Sequence, residues 1–320
     1  MLGFFVFSIF AVKLYMEYLN LHKKRRNPIW GVIITFCIIM FFYLLFQIPL
    51  LLEVLTNNVM DINSFFDPSK INLNYALILF VLAFFGIIVG LLVSMKFIHN
   101  SKFRTLIHAE RSIDFKRIGF GFYIWGLLLI VTFILDYFFI TGSSDIVYNG
   151  IGYNFFIAII VSFIFLFVQT SAEELLCRGY LMQALGSIFK DRWIPIIVSG
   201  LFFGGLHVMN PEIDEYGLDI MLLHYCSVGI FLGIIVVMDN RLELALGFHA
   251  VNNILSGLLI SFDGAAFKTY SLFTTSYVDP YLGYIVWLVS AIVFYVWCSY
   301  KYNWKSLSYL TGKIAHNSKH

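Results

Sequence analysis

Charge is scarce in this chain of 320 residues. Asp, Glu, Lys and Arg make up 12% of it, where a soluble domain carries about 25%. Hydrophobic residues account for 60% and the mean hydropathy is +0.84, which excludes a soluble domain tied to a membrane by one anchor. Cysteine is sparse as well: Cys37, Cys177, Cys226 and Cys298 stand apart in apolar runs, and no C-x-x-C occurs. That argues against a disulfide framework and a cysteine zinc site, and reads all four as small apolar core residues. The chain also lacks the charge order of a secretory signal, in which positive residues precede the apolar stretch. Here residues 2–21 are mostly apolar and Lys23-Lys24-Arg25-Arg26 follow, as in an uncleaved first span whose C-terminal end faces the cytoplasm. Lys13 and Glu17 interrupt that segment, with Lys13 able to snorkel. No internal repeat, low-complexity tract or soluble domain is visible.

What is present is a series of apolar stretches, each near the 17–25 residues that cross a bilayer. They are 2–21, 29–52, 74–97, 118–141, 154–175, 193–209, 218–238, 242–262 and 280–300. The reading is an all-α, polytopic transmembrane helical bundle of about 8–9 spans. Pro28 and Pro195 sit near helix starts, where a missing N–H does no harm. Positive charge orients the bundle. With the N-terminus outside, seventeen of the 21 Lys and Arg fall in inner segments and only Lys70 and Lys268 in outer ones. The N-terminus is therefore expected out and the C-terminus cytoplasmic. The acidic loop with Glu212, Asp214 and Glu215 lands outside, with Asp61, Asp67 and Asp145, and Asp136 near an outer interface. The connection 98–117 is basic with scattered apolar residues, and reads either as an amphipathic helix on the inner leaflet or as a solvated loop. The tail 301–320 is short, polar and expected to be mobile.

Three fragments place costly groups inside these spans: Glu173-Glu174-x-x-x-Arg178, Phe203-x-x-x-His207 and His249-x-x-x-Asn253. An ionisable side chain at a helix centre costs roughly 2.5–3.5 kcal/mol to insert, so such groups are suspected of function. Glu174 and Arg178 share a helix face and can pair, with Glu173 turned about 100° away. His249 and Asn253 likewise share a face. Along a helix, Glu173 lies up to about 26 Å from Lys190, His207 about 22 Å from Arg192, and His249 and Asn253 about 12 and 18 Å from Arg241. Three helices thus bring polar groups to overlapping depths. The stretch 154–189 exceeds one straight span, which predicts a tilt or break near Thr170–Glu174. Gly200-x-x-x-Gly204 and Gly229-x-x-x-Gly233 read as sites of close helix packing. His224 stands alone and reads as a hydrogen-bonded packing residue.

At these residues the chain resembles the CPBP family of intramembrane proteases, also called the CAAX-protease or Abi family. The resemblance rests on Glu173-Glu174-Leu-Leu-Cys-Arg178-Gly179, Phe203-Gly-Gly-Leu-His207 and His249-Ala-Val-Asn-Asn253, in that order. It implies family-variable N-terminal spans over 1–153, a catalytic helical core over 154–262, and a last span with a short cytoplasmic tail over 263–320. It implies hydrolysis of peptide bonds within the bilayer, on a prenylated C-a-a-X tail or a peptide precursor. Glu173 and His207 would activate a water, His249 and Asn253 would stabilise the oxyanion, and Glu174 and Arg178 would support the site. Elementary chemistry agrees: a carboxylate and an imidazole suit acid–base work, and Asn donates a hydrogen bond without titrating. No H-E-x-x-H occurs, so a metal-independent site is favoured; a bound zinc ion would take Glu173, His207 and His249. The partners expected are the lipid bilayer and a membrane-associated protein or peptide, with no nucleic acid. The expected location is a bacterial plasma membrane, with the site accessible near the cytoplasmic side. Two rivals stand beside this reading: a non-catalytic scaffold or immunity-type protein on the same fold, and a proton-coupled transporter, since intramembrane Glu and His also relay protons.

Overall fold

The computed structural model describes residues 17–20, 28–56, 65–108, 112–140, 145–262, 264–276 and 278–314. Apart from Glu17–Asn20, the expected span 2–21 lies outside the described residues, as do Lys23–Arg26, Asp61, Arg111 and Lys319.

The described chain is mostly helical. The helices are α1 (Pro28–Thr56), α2 (Leu73–Ile98), α3 (Phe115–Leu135), α4 (Tyr153–Ile188) and α5 (Trp193–Gly205). They continue with α6 (Pro211–Tyr216), α7 (Leu218–Asp239), α8 (Glu243–Leu259) and α9 (Pro280–Tyr302). Local chemistry sets several boundaries. Asn72 caps α2 by accepting the N–H groups of Asn74 and Tyr75, and Asp114 caps α3 through those of Lys116 and Arg117. Asp279 does the same for α9, with Pro280 at its first position. Asn240 and Asn303 end α7 and α9 in the left-handed conformation that Asn tolerates.

Among the described residues six helices, α1, α2, α3, α4, α7 and α9, are long and apolar enough to cross a membrane. The stretches 193–209 and 242–262, expected as spans, form shorter helices. α5 has 13 residues and α8 has 17, giving lengths of about 20 and 26 Å against a hydrocarbon core of about 30 Å. Both also carry polar residues of the three fragments.

For α4 the expectation is a tilt or a break near Thr170–Glu174. The helix runs unbroken over 36 residues, with no break at Thr170–Glu174. Two π-helical stretches, Ser162–Leu166 and Leu175–Leu181, flank that segment instead. A π turn changes which residues face the core while keeping the backbone hydrogen-bonded, so a long helix adapts without stranding polar groups.

A small sheet qualifies the all-α reading. β1 (Ile146–Tyr148) pairs antiparallel with β3 (Phe273–Thr275), and β2 (Ile260–Phe262) pairs parallel with β3. It joins residues of all three expected segments through short runs rich in Ile, Val, Thr and Phe, which favour strands.

The helices pack as α1 on α2, α3 on α8 and α5 on α7, with α4 against α2 and α8. Among its described residues the connection 98–117 forms no amphipathic helix. It makes a 3₁₀ turn at Phe103–Leu106 with Leu106 and Ile107 buried, and the Ile107 carbonyl accepts the Leu242 N–H. The tail is no free end either. The Arg192 N–H reaches the Gly312 carbonyl, the Ile314 N–H reaches the Lys190 carbonyl, and Ile314 is buried. Glu17, read as a blemish in the first span, is buried in an ion pair with Arg192, and Tyr309 Oη donates to it. The tail thus straps the loop between α4 and α5.

Candidate active site

Glu174 and Arg178 are both wholly buried, one turn apart on α4, with Arg178 Nη1 2.6 Å from Glu174 Oε1. An unpaired charge there would be very costly, and this pairing is the physical reason both are tolerated. Arg178 does more than pair. Its Nη2 donates to the Gly229 carbonyl of α7 at 3.1 Å, and its guanidinium lies 4.4 Å over the Phe203 ring of α5. One side chain therefore ties three helices.

His249, on α8, sits between the two carboxylates. Its Nδ1 is 2.8 Å from Glu174 Oε1 and its Nε2 3.6 Å from Glu173 Oε2. Glu173 Oε1 also accepts from Gln169 Nε2 at 3.2 Å. The two glutamates thus differ in role. Glu174 is consumed by Arg178 and His249, while Glu173 keeps looser contacts at the edge of the cluster.

His207 lies on the turn that follows α5. Its Nδ1 is 2.8 Å from the Phe203 carbonyl, which can only accept, so Nδ1 carries the hydrogen and a neutral ring keeps its lone pair on Nε2. The ring lies between Phe203 at 4.5 Å and Tyr225 at 4.4 Å. His207 and His249 both lie against the Phe203 ring, at 4.5 and 5.8 Å. Asn253 is one turn beyond His249 on α8. Its Oδ1 accepts from Asn252 Nδ2, and Asn252 Oδ1 accepts from Trp125 Nε1, each at 3.1 Å. That chain leaves Asn253 Nδ2 to donate elsewhere.

Glu173, Glu174, Arg178 and His249 therefore form one contact cluster, His207 adjoins it through the shared Phe203 ring, and Asn253 joins from the next turn of α8. His224 sits apart among the rings of Tyr225, Tyr284 and Trp287, a packing residue held by aromatic contacts. Sequence reasoning missed Gln169, Tyr225 and Asn252. Gln169 carried a usable signal, being four residues before Glu173 on one face. Tyr225 is one of 19 tyrosines and carried none.

Glu212, expected in a solvated outer loop, is buried at the start of α6 and accepts the Ala266 N–H at 2.7 Å. Burial pushes its carboxyl above the usual range, and the Ala266 N–H opposes the shift. Among the described residues no group of three His, Cys, Asp or Glu side chains is arranged as metal ligands are.

Residues 154–255 match the family model described as type II CAAX prenyl endopeptidase Rce1-like. The chain is also similar to YyaK of Bacillus subtilis (strain 168), an uncharacterized protein, at 29% identity over 261 residues, covering 80% of this chain and 87% of that protein. The matched segment contains all six motif residues, from Glu173 to Asn253, and every side chain that makes up the cluster except those of loop and N-terminal helices around it. Over residues 154–255 the chain is thus similar to the type II CAAX prenyl endopeptidase Rce1-like family.

Proposed function

We propose that this protein is an intramembrane endopeptidase that hydrolyses peptide bonds of membrane-associated proteins or peptides in a bacterial plasma membrane. One observation carries the reading: α4 and α8 bring two carboxylates, an arginine and a histidine into one cluster, and the turn after α5 sets a second histidine, His207, against the Phe203 ring that His249 also touches. Such a group suits water activation better than packing, because packing alone needs no loosely held carboxylate beside two imidazoles.

In this mechanism a water sits between Glu173 and His207 Nε2. Glu173 takes a proton as the water oxygen attacks the peptide carbonyl carbon, while His207 orients the water by accepting its other hydrogen. Charge then builds on the carbonyl oxygen. Asn253 Nδ2 donates to it, with the His249 ring beside it held through Nδ1 by Glu174. Glu173 passes its proton to the departing amine as the C–N bond breaks, leaving a new carboxyl and a new amine. Arg178 holds Glu174, and so the His249 ring, in place. No step needs a metal.

The test compares new peptide N-termini in membranes carrying the wild-type protein with those carrying Glu173→Gln at matched expression. The expected result is a set of termini that vanishes in the variant and survives a strong zinc chelator. Full cleavage by Glu173→Gln would overturn the reading. An unchanged cellular phenotype in Glu173→Ala and His207→Ala would transfer it to the scaffold.

A further inference from the structure

We infer that Tyr225 is a positioning residue for His207, fixing the plane of the imidazole so that Nε2 points at the reacting water. The inference rests on the role proposed for His207. His207 needs such help because its backbone is not part of a regular helix. It lies on a turn made by the hydrogen bonds of His207 N–H to Gly204 and Asn210 N–H to His207 O, and its neighbours Leu206 and Val208 are exposed. One hydrogen bond, from Nδ1 to the Phe203 carbonyl, fixes a point on the ring but not the rotation about that point.

The second constraint comes from α7. The Tyr225 ring lies 4.4 Å from the imidazole with 24° between their planes, a stacked arrangement, while Phe203 on the other side is tilted at 43°. Tyr225 is itself held. Its hydroxyl accepts from Asn210 Nδ2 at 3.2 Å and faces the buried carboxylate of Glu212. Asn210 also closes the turn around His207, so one residue holds both the His207 backbone and the tyrosine that stacks on its ring. Glu212 in turn is anchored by the Ala266 N–H, and a Cβ at Gly264 would stand 2.8 Å from the Glu215 side chain, so the 264–266 segment closes tightly over α6. The chain of contacts runs from 264–266 through Glu212, Tyr225 and Asn210 to the His207 ring.

The experiment uses the full-length protein in membranes and a peptide substrate taken from the termini that Glu173→Gln removes. Tyr225→Leu deletes the ring, Tyr225→Phe keeps it without the hydroxyl, and Asn210→Ala removes the amide that holds the hydroxyl. The expected result for Tyr225→Leu is a fall in kcat of about 10- to 100-fold with KM little changed, the penalty of misplaced catalytic geometry. Tyr225→Phe should recover most of the loss, and Asn210→Ala should lose a few-fold. Each rate is normalised to folded protein. If Tyr225→Leu fails to accumulate, the Tyr225→Phe and Asn210→Ala rates decide the matter. A wild-type kcat in Tyr225→Leu, or in both other variants should that one not fold, would overturn the inference. A rise in KM alone would assign Tyr225 to substrate binding instead. Loss of the protease reading appears separately, as equal cleavage by wild type and Glu173→Gln.

Discussion

Arg178 shows how much one residue carries here. It is wholly buried, neutralises Glu174, bonds the Gly229 carbonyl and covers Phe203. Arg178→Ala should destabilise the fold by about 3–5 kcal/mol, since it leaves a buried carboxylate without its cation. Arg178→Lys keeps the charge but cannot reach Glu174 and Gly229 with a planar fork, so it should fall between the two. Thermal unfolding in detergent checks both, with wild-type stability in Arg178→Ala as the contrary outcome. The Glu174–Arg178 pair was legible in the sequence, because partners four apart on a helix meet whatever surrounds them. The placement of His249 between the glutamates was not. Its residue type and depth were readable, but its partners are 75 residues away in the chain.

At the scale of elements, the site depends on how closely α5 approaches α7. A Cβ at Gly229 would stand 2.6 Å from the Gly200 carbonyl oxygen and 2.8 Å from its Cα. Backbone cannot yield as a side chain can, so Gly229→Ala should push the helices apart and cost about 1–3 kcal/mol. Because α5 carries Phe203 and leads to His207, and Gly229 receives Arg178, cleavage should fall further than stability. Gly283→Ala, where the added methyl meets nothing within 4 Å, is the control and should be neutral or slightly stabilising. Cleavage rate and melting temperature of the two variants decide this. The glycine pairs were readable as packing motifs, as was the length of α4. The relief of that length by π turns was not, since a helix can bend, tilt or widen to the same end and its neighbours choose.

For the whole molecule, the charge count proposes an orientation that the strap makes testable. Lys70 lies on the side expected outside, and Lys305 on the side expected inside, next to the tail that closes over the α4–α5 loop. In a Cys37→Ser background, Lys70→Cys should react with an impermeant maleimide in intact cells, and Lys305→Cys only after permeabilisation. The reverse pattern would invert the topology. The buried Glu17–Arg192 pair holds the N-terminal segment to the same closure, and Tyr309 covers it.

The sequence by itself determined the class of protein, most of its long helices, and the identity of six residues at the candidate site. Hydropathy, capping and spacing are properties of neighbours along the chain, and six helices followed from them. Only the tertiary structure decided that α5 and α8 are short, that a three-stranded sheet joins residues 146–148, 260–262 and 273–275, and that the tail is strapped down. It also decided which carboxylate each imidazole faces and that Tyr225 stacks on His207. The physical reason is that these facts depend on distances between helices. Those distances are set by where glycine lets backbones touch and where a buried charge must find its partner, and neither is a property of a local stretch of chain.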